Sequence, residues 1–294
     1  MPLVAGVLAG HHVRMAQSDM PTMRSRRLGG ELRRLRIEAG LKVTDAAEAL
    51  ECGHPKVSQI ETGKRGIRQL DLTTLLNLYG VEDDNLRANL KRLAKELHKV
   101  DWWTKSGPLL HDVLKDYLTL EADSEQVRTY ESMVLPGLLQ TEAYALSVIS
   151  SAVPENAETL VATRMKRKEL LLNRSGFTLR AIIDAPALYR IPGDRSLVRE
   201  QLDHLCEASA LRNVNLQVLP VEVQLPVDQW APFTIFGLRG EAPASVVWLE
   251  HLTGATLLEQ QPDVSSYAKA WDEMTAAALS PAASLSFLRD LAKD

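Results

Sequence analysis

Between Leu28 and Gly80 apolar residues recur at helical spacing in four short runs, each closed by a glycine or a tight polar turn. That punctuation constrains the segment to a compact bundle of small helices. The first run carries Leu28, Leu32, Leu35 and Ile37 and stops at Gly40. The second, from about Val43 to Leu50, presents Ala46, Ala47 and Ala49 as a small, close-packing face, and Glu51-Cys52-Gly53 makes the turn that follows. The third, His54 to Thr62, sets Val57 and Ile60 inward and Lys56 and Gln59 outward, with Gly63 as a C-cap where a left-handed residue is needed. Leu70 to Tyr79 supplies a fourth helix and Asp83 to Val100 a fifth. Two short helices joined by a tight turn, the second with a polar outer face, is the arrangement that lays a recognition helix in the major groove of DNA.

Charge supports that reading once it is counted by region. The chain of 294 residues carries a formal net charge of −4, which would argue weakly against nucleic acid if it were evenly spread. Residues 1–100 instead carry net +5 and residues 101–294 net −9. A basic N-terminal part on an acidic C-terminal part suits a nucleic-acid reader tethered to a domain of another kind. A hydrophobic content of 45% and a charged content of 24% exclude wholesale disorder. No apolar stretch is long enough to span a membrane, the nearest being Pro2 to Gly10. Cys52 and Cys206 frame neither a disulfide scaffold nor a zinc site, which fits a reducing cytoplasm.

The chain therefore reads as multidomain, with residues 1–23 a disordered leader, 24–100 an all-α helix-turn-helix DNA-binding domain and 101–294 an α+β domain that regulates or dimerises. In the last, helical runs extend to about Arg174. Short β-branched or alternating segments at Phe177 to Asp184, Val214 to Leu219, Phe233 to Leu238 and Ser245 to Leu252 then read as strands, with helices at Asp194 to Leu211, Val264 to Ala277 and Ala283 to Ala292. The expected architecture is an antiparallel sheet with helices packed on it.

On the third helix, His54, Pro55, Lys56 and Gln59 are the candidate base readers, because lysine suits guanine O6 and N7 and glutamine bonds adenine bidentately. Lys64, Arg65 and Arg68 follow where the sugar–phosphate backbone passes, Val43 at the start of the second helix is placed with them, and Arg24, Arg26 and Arg27 form a candidate arm to phosphate. The bland alternative, an ordinary solvated helix face, loses weight only because turn, split face and regional charge coincide. Arg36 lies nearer the apolar side of its helix and is expected to pair with Glu61 as a structural, partly buried ion pair. There is no nucleophile elbow, zinc-protease motif, phosphate-binding loop or dinucleotide fingerprint, and His204 and Cys206, two apart on a helix, diverge, so catalysis is not expected. No cofactor or metal is expected.

The run LGGELRRLRIEAGLKVTDAAEAL followed by KVSQIETGKR resembles the helix-turn-helix regulators of the xenobiotic-response-element type. Further on, DWW at Asp101 to Trp103, RTYESMVLPGLLQTEAYA at Arg128 to Ala145, NVNLQVLP at Asn213 to Pro220 and the region around PFTIF resemble the C-terminal domain of a large actinobacterial subfamily of them. The resemblance implies a cytoplasmic, antitoxin-like transcriptional regulator with a small acidic partner protein, while the helix-turn-helix reading leads us to expect a homodimer on double-stranded DNA, modulated through the C-terminal domain. Small-metabolite sensing, or a protein-interaction module without operator specificity, are the alternatives. Two departures stand out. Lys42 occupies the place of a Ser or Thr N-cap, and Gly53-His54-Pro55 replaces a polar opening of the recognition helix, so the operator is expected to differ from those of close relatives. In the most family-like segment Tyr130, Glu131, Gln140 and Thr141 are a possible partner or ligand surface. The competing reading, with Pro136-Gly137 a turn and Leu135, Leu138 and Leu139 core, is preferred. Trp102 and Trp103 are expected in interdomain packing.

Overall fold

The computed structural model describes residues 21–97, 112–173, 175–223, 231–239 and 245–293. Five helices come first: α1 (Met23–Glu38), α2 (Val43–Ala49), α3 (His54–Glu61), α4 (Gln69–Leu78) and α5 (Asp84–Glu96). Thr22 caps α1, its hydroxyl accepting from the Ser25 N–H, so the helix opens five residues before Leu28. Leu28, Leu32, Val57, Ile60, Leu72, Leu75 and Leu76, each no more than 2% exposed, make the core of this bundle together with Ala46 and Ala47. Ile37 departs from the expected inward face and is 56% exposed. Arg36 reaches the interior from the same turn, and it does so because Glu61 meets it there: Nε donates to Oε1 at 2.6 Å, Nη2 to Oε2 at 2.9 Å, and Nη1 to the Leu41 carbonyl at 2.8 Å. The pair joins the end of α1 to the end of α3.

The second part opens with α6 (Asp112–Asp123), which runs directly into β1 (Ser124–Glu131). Helices α7 (Glu142–Ala152), α8 (Ala157–Arg167) and α9 (Glu169–Asn173) lead to β2 (Thr178–Asp184), and α10 (Ala185–Tyr189) and α11 (Arg195–Ala208) lead to β3 (Val214–Leu219). Then come β4 (Phe233–Leu238), β5 (Ser245–His251), β6 (Gly254–Leu258), α12 (Gln261–Ala277) and α13 (Pro281–Leu291). The six strands form one sheet in the order β3-β2-β1-β4-β5-β6.

The sheet is mixed, which corrects the antiparallel expectation. β1, β2 and β3 pair in parallel, with Tyr130 beside Ile182 and Ile182 beside Gln217, whereas β4, β5 and β6 pair antiparallel. The cause lies in the connections. Each of the first two carries helices, long enough to return the chain to the same end of the sheet, while β5 and β6 are joined by a tight turn at Gly254. Both faces are covered. Val127, Leu179, Leu216 and Phe236 pack on one side with Tyr117 and Leu205, and Ile182, Ile235 and Val247 on the other with Trp271 and Met274. Beneath α6 and α8, Arg167 and Glu121 form a buried bidentate pair at 2.7 and 2.8 Å.

Candidate nucleic-acid interface

Helix α3 is held by its neighbours at both ends. Its start follows a turn in which Glu51 takes the left-handed conformation at φ 49°, a strained position for a residue with a β-carbon, and the Cys52 N–H returns to the Ala47 carbonyl at 2.9 Å. Lys42 offers no side-chain cap to α2, but the Asp45 carboxylate reaches back to accept the Lys42 N–H at 2.7 Å. That is the acidic half of a capping box, and it supplies what a Ser or Thr at position 42 would otherwise contribute in part. Gly53 precedes α3 and Pro55 sits in its first turn, where the missing N–H has no intrahelical partner to lose.

With Val57, Ile60 and Glu61 buried, the outward face of α3 holds His54, Pro55, Ser58 and Gln59, all exposed. Ser58 was not among the sequence candidates, although its spacing of four from His54 and three from Pro55 places it on their face. Lys56 lies on the flank rather than the crest. Its ammonium donates to Asp71 Oδ2 on α4 at 2.7 Å, and its side chain is 28% exposed. A base contact by Lys56 would have to displace that carboxylate. Lys64, Arg65 and Arg68 are exposed beyond the helix, and no carboxylate among the described residues pairs with them. Val43, the first residue of α2, is half-buried and packs against the bundle core.

Arg24, Arg26 and Arg27 do not form an arm. Arg24 is 4% exposed and grips Asp123 with two hydrogen bonds of 2.8 and 2.9 Å. Arg26 donates to the Pro21 carbonyl and to Asp116, and Arg27 meets Glu259 at 3.2 Å. All three carboxylates belong to the second part of the chain, and Met23, at 4% exposure, packs in its core. The reason is electrostatic: the first turns of α1 lie against the acidic half, whose carboxylates satisfy these guanidinium groups on the spot. The basic start of α1 is a clasp between the two halves.

A family model for a helix-turn-helix domain matches residues 27–90, the segment that contains α2 and α3. A second, described as a domain of unknown function (DUF5753), matches residues 114–290, more than half of the chain. The chain belongs to the DUF5753 family. No curated protein and no solved structure matches it. Among the described residues no helix is long and apolar enough to cross a membrane, and no group of three or more His, Cys, Asp or Glu stands ready to hold a metal ion. Trp102 and Trp103, assigned above to interdomain packing, lie outside the described residues.

Within the DUF5753 domain the proposed partner surface turns inward. Tyr130, Gln140 and Thr141 are 3%, 1% and 7% exposed. Gln140 spans the Leu135 carbonyl and Arg164 through bonds of 2.7 Å each, and Thr141 caps α7 while its own N–H donates to Gln201 at 2.7 Å. These side chains fasten the connection between β1 and α7, with Leu135, Leu138 and Leu139 in the core beneath it. Glu131 is half-buried at the end of β1, with Oε2 shielded and without a hydrogen-bond partner among the described residues, and burial pushes its carboxyl up to about 7. Glu250 on β5 is raised by burial as well, and burial lowers Arg164 to about 10.

A pH dependence of stability follows. The folded protein binds the Glu131 proton more tightly than the unfolded chain, whose carboxyl keeps its ordinary value of 4.5. The stability linked to this group is therefore complete below about 4.5 and is lost as pH rises through about 7, amounting to roughly 3 kcal/mol. Glu131→Gln removes the charge that burial penalises. The variant is expected to unfold at a higher temperature than the parent at pH 8 and to differ little from it at pH 5, as read from melting temperatures across that range. Equal pH profiles for the two would refute the assignment.

Proposed function

We propose that this protein is a sequence-specific DNA-binding transcriptional regulator that reads an operator through α3, with no catalytic role of its own. The observation that carries the reading is the outward row of His54, Pro55, Ser58 and Gln59 continuing into Lys64, Arg65 and Arg68, basic groups with no carboxylate partner among the described residues. Unpaired guanidinium and ammonium groups beside a polar helix face suit a polyanion whose neighbours carry sequence information. Gln59 and His54 are the readers, Pro55 offers apolar contact to a thymine methyl, and Lys56 contributes to the extent that it leaves Asp71. A homodimer on a pseudo-palindrome with half-sites about 34 Å apart completes the reading. The small acidic partner protein is carried by the resemblance of the C-terminal sequence, with the DUF5753 domain as its docking body.

Selection of bound duplexes from random DNA by the full-length protein at about 0.15 M salt tests the proposal. Enrichment of a pseudo-palindrome is the expected result, and binding without sequence preference would point to an interaction module instead. On the selected operator, Gln59→Ala is expected to cost about 1–3 kcal/mol and to relax the preference at one base pair. Arg65→Ala should weaken all sequences alike and lower the slope of log affinity against log salt by about one unit. Electrophoretic or fluorescence titrations at several salt concentrations separate the two behaviours.

A further inference from the structure

The sheet of the DUF5753 domain ends in β3 on one side and β6 on the other, and the two edges differ. At β3 the edge is closed. The Val218 N–H donates to Ser284 Oγ and the Leu279 N–H donates to the Val218 carbonyl, each at 2.9 Å, so the passage from α12 to α13 stands where a further strand would. Among the described residues nothing does this at β6. It pairs with β5 alone, and its outward N–H and C=O groups meet no described donor or acceptor.

An open strand edge is a template for another strand, and proteins that must stay apart guard such edges with charge, proline or a bulge. The run Gly254-Ala255-Thr256-Leu257-Leu258 carries no charge and no proline, and it pairs with β5 without a bulge. Its apolar side chains are also incompletely covered. Ala255 and Leu257 join the layer of Val127 and Leu205, and Leu258 joins that of Trp271, yet all three are only half-buried and Thr256 is exposed. Both apolar layers run to this edge and stop there part-covered. The order of residues selects the occupant, because small Gly254 and Ala255 precede large Leu257 and Leu258 with Thr256 between them. Against a copy of itself, antiparallel about Thr256, Ala255 stands opposite the partner's Leu257 on one face and Gly254 opposite the partner's Leu258 on the other. Directly opposed residues of antiparallel strands share a face and touch, so every such pair sets a small side chain against a large one. Parallel pairing in register would instead set leucine against leucine and leave a gap at the glycines. The antiparallel register also keeps like charges apart, with Glu259 opposite the partner's Thr253.

We propose that the protein dimerises by antiparallel pairing of β6 with β6 of a second copy, the two-fold axis passing between the two Thr256 residues and the two sheets running on as one. The inference rests on the homodimer of the proposed function and gives it a self-complementary interface. The same register carries Leu252, 77% exposed at the turn between β5 and β6, to the start of the partner's α12, which adds apolar contact to what a five-residue strand supplies. Glu259, the residue after β6, holds Arg27 of α1 at 3.2 Å, so pairing of the two strands also sets where the two helix-turn-helix bundles stand about the axis.

Sedimentation equilibrium of the full-length protein at micromolar concentration, without DNA, tests the interface. The parent is expected to be a dimer. Thr256→Lys and Thr256→Glu each bring two like charges together at the axis and should each weaken dimerisation roughly tenfold or more, whereas an equimolar mixture of the two variants should recover it, since the charges that meet are then opposite. Thr256 is exposed on the single chain, so both variants are expected to keep the parent's far-ultraviolet circular dichroism, which separates a lost interface from a lost fold. A monomeric parent, a dimer that neither variant weakens, or a mixture that dimerises no better than the variants alone would overturn the proposal. A dimer that neither variant weakens would leave the homodimer standing on another surface. A selection experiment that enriches no operator leaves the sedimentation result intact, so the two readings fail separately.

Discussion

Gly29→Ala is expected to destabilise the helix-turn-helix bundle by at least about 3 kcal/mol and to abolish operator binding at temperatures where the parent binds. At this residue α1 crosses the end of α3 so closely that a β-carbon would lie 2.4 Å from the Ile60 carbonyl oxygen and 2.6 Å from that of Glu61. Both contacts are backbone, so no rotamer change relieves them. The end of α3 would have to move, and with it Glu61 and its bond to Arg36. The crossing is built reciprocally, since a β-carbon on Gly63 would lie 2.7 Å from the Arg26 nitrogen, and Gly63 also requires φ +74°. Gly30, one residue along, has nothing within 4 Å of where its β-carbon would stand. Gly30→Ala should therefore stabilise α1 by about 0.5–1 kcal/mol through helix propensity alone. Urea unfolding followed by circular dichroism compares the neighbours directly, and similar effects of the two substitutions would show the helix crossing to be misplaced.

The same positions show what could be read from the chain and what could not. The bundle was legible because its helices are local: each reads as a short period with its own stop, and the inward residues of α3 and α4 lie where their spacing puts them. β3 and β4 were legible down to their ends, since buried strands carry β-branched or aromatic runs bounded by turn residues. β1 was not. SEQVRTYE is polar enough to read as part of a helical run, and its place at the centre of the sheet comes from partners 50 and more residues away. Strand direction was equally out of reach, because it depends on where helical connections deliver the chain. The candidate site divides in the same way. The outward face of α3 is a local property, whereas the ends to which Lys56, Arg24, Arg26 and Arg27 reach are set by carboxylates distant in sequence. A basic residue announces its charge but not which anion it meets.

For Arg24 the two anions predict different measurements. Arg24→Ala leaves Asp123 buried without its cation, and truncation of one member of such a pair costs about 3–5 kcal/mol of stability. Asp123→Ala should cost a similar amount, and the double variant should lose less than the sum of the two, the shortfall being the coupling energy of the pair. Neither change is expected to alter the salt slope of DNA binding, which Arg65→Ala is expected to lower. An Arg24 that served phosphate would behave oppositely: its removal would reduce the slope by about one unit, Asp123→Ala would leave stability nearly unaffected, and the double variant would be additive. The bonds of 2.8 and 2.9 Å at 4% exposure favour the clasp. Its position gives it a second consequence, because Arg24 on α1 meets Asp123 at the end of α6, just before β1, and so joins the helical bundle to the sheet. Weakening the clasp should therefore loosen the recognition bundle from the sheet without disturbing either core. Limited proteolysis of Arg24→Ala is expected to cut between the two parts sooner than in the parent, while each part resists cleavage within.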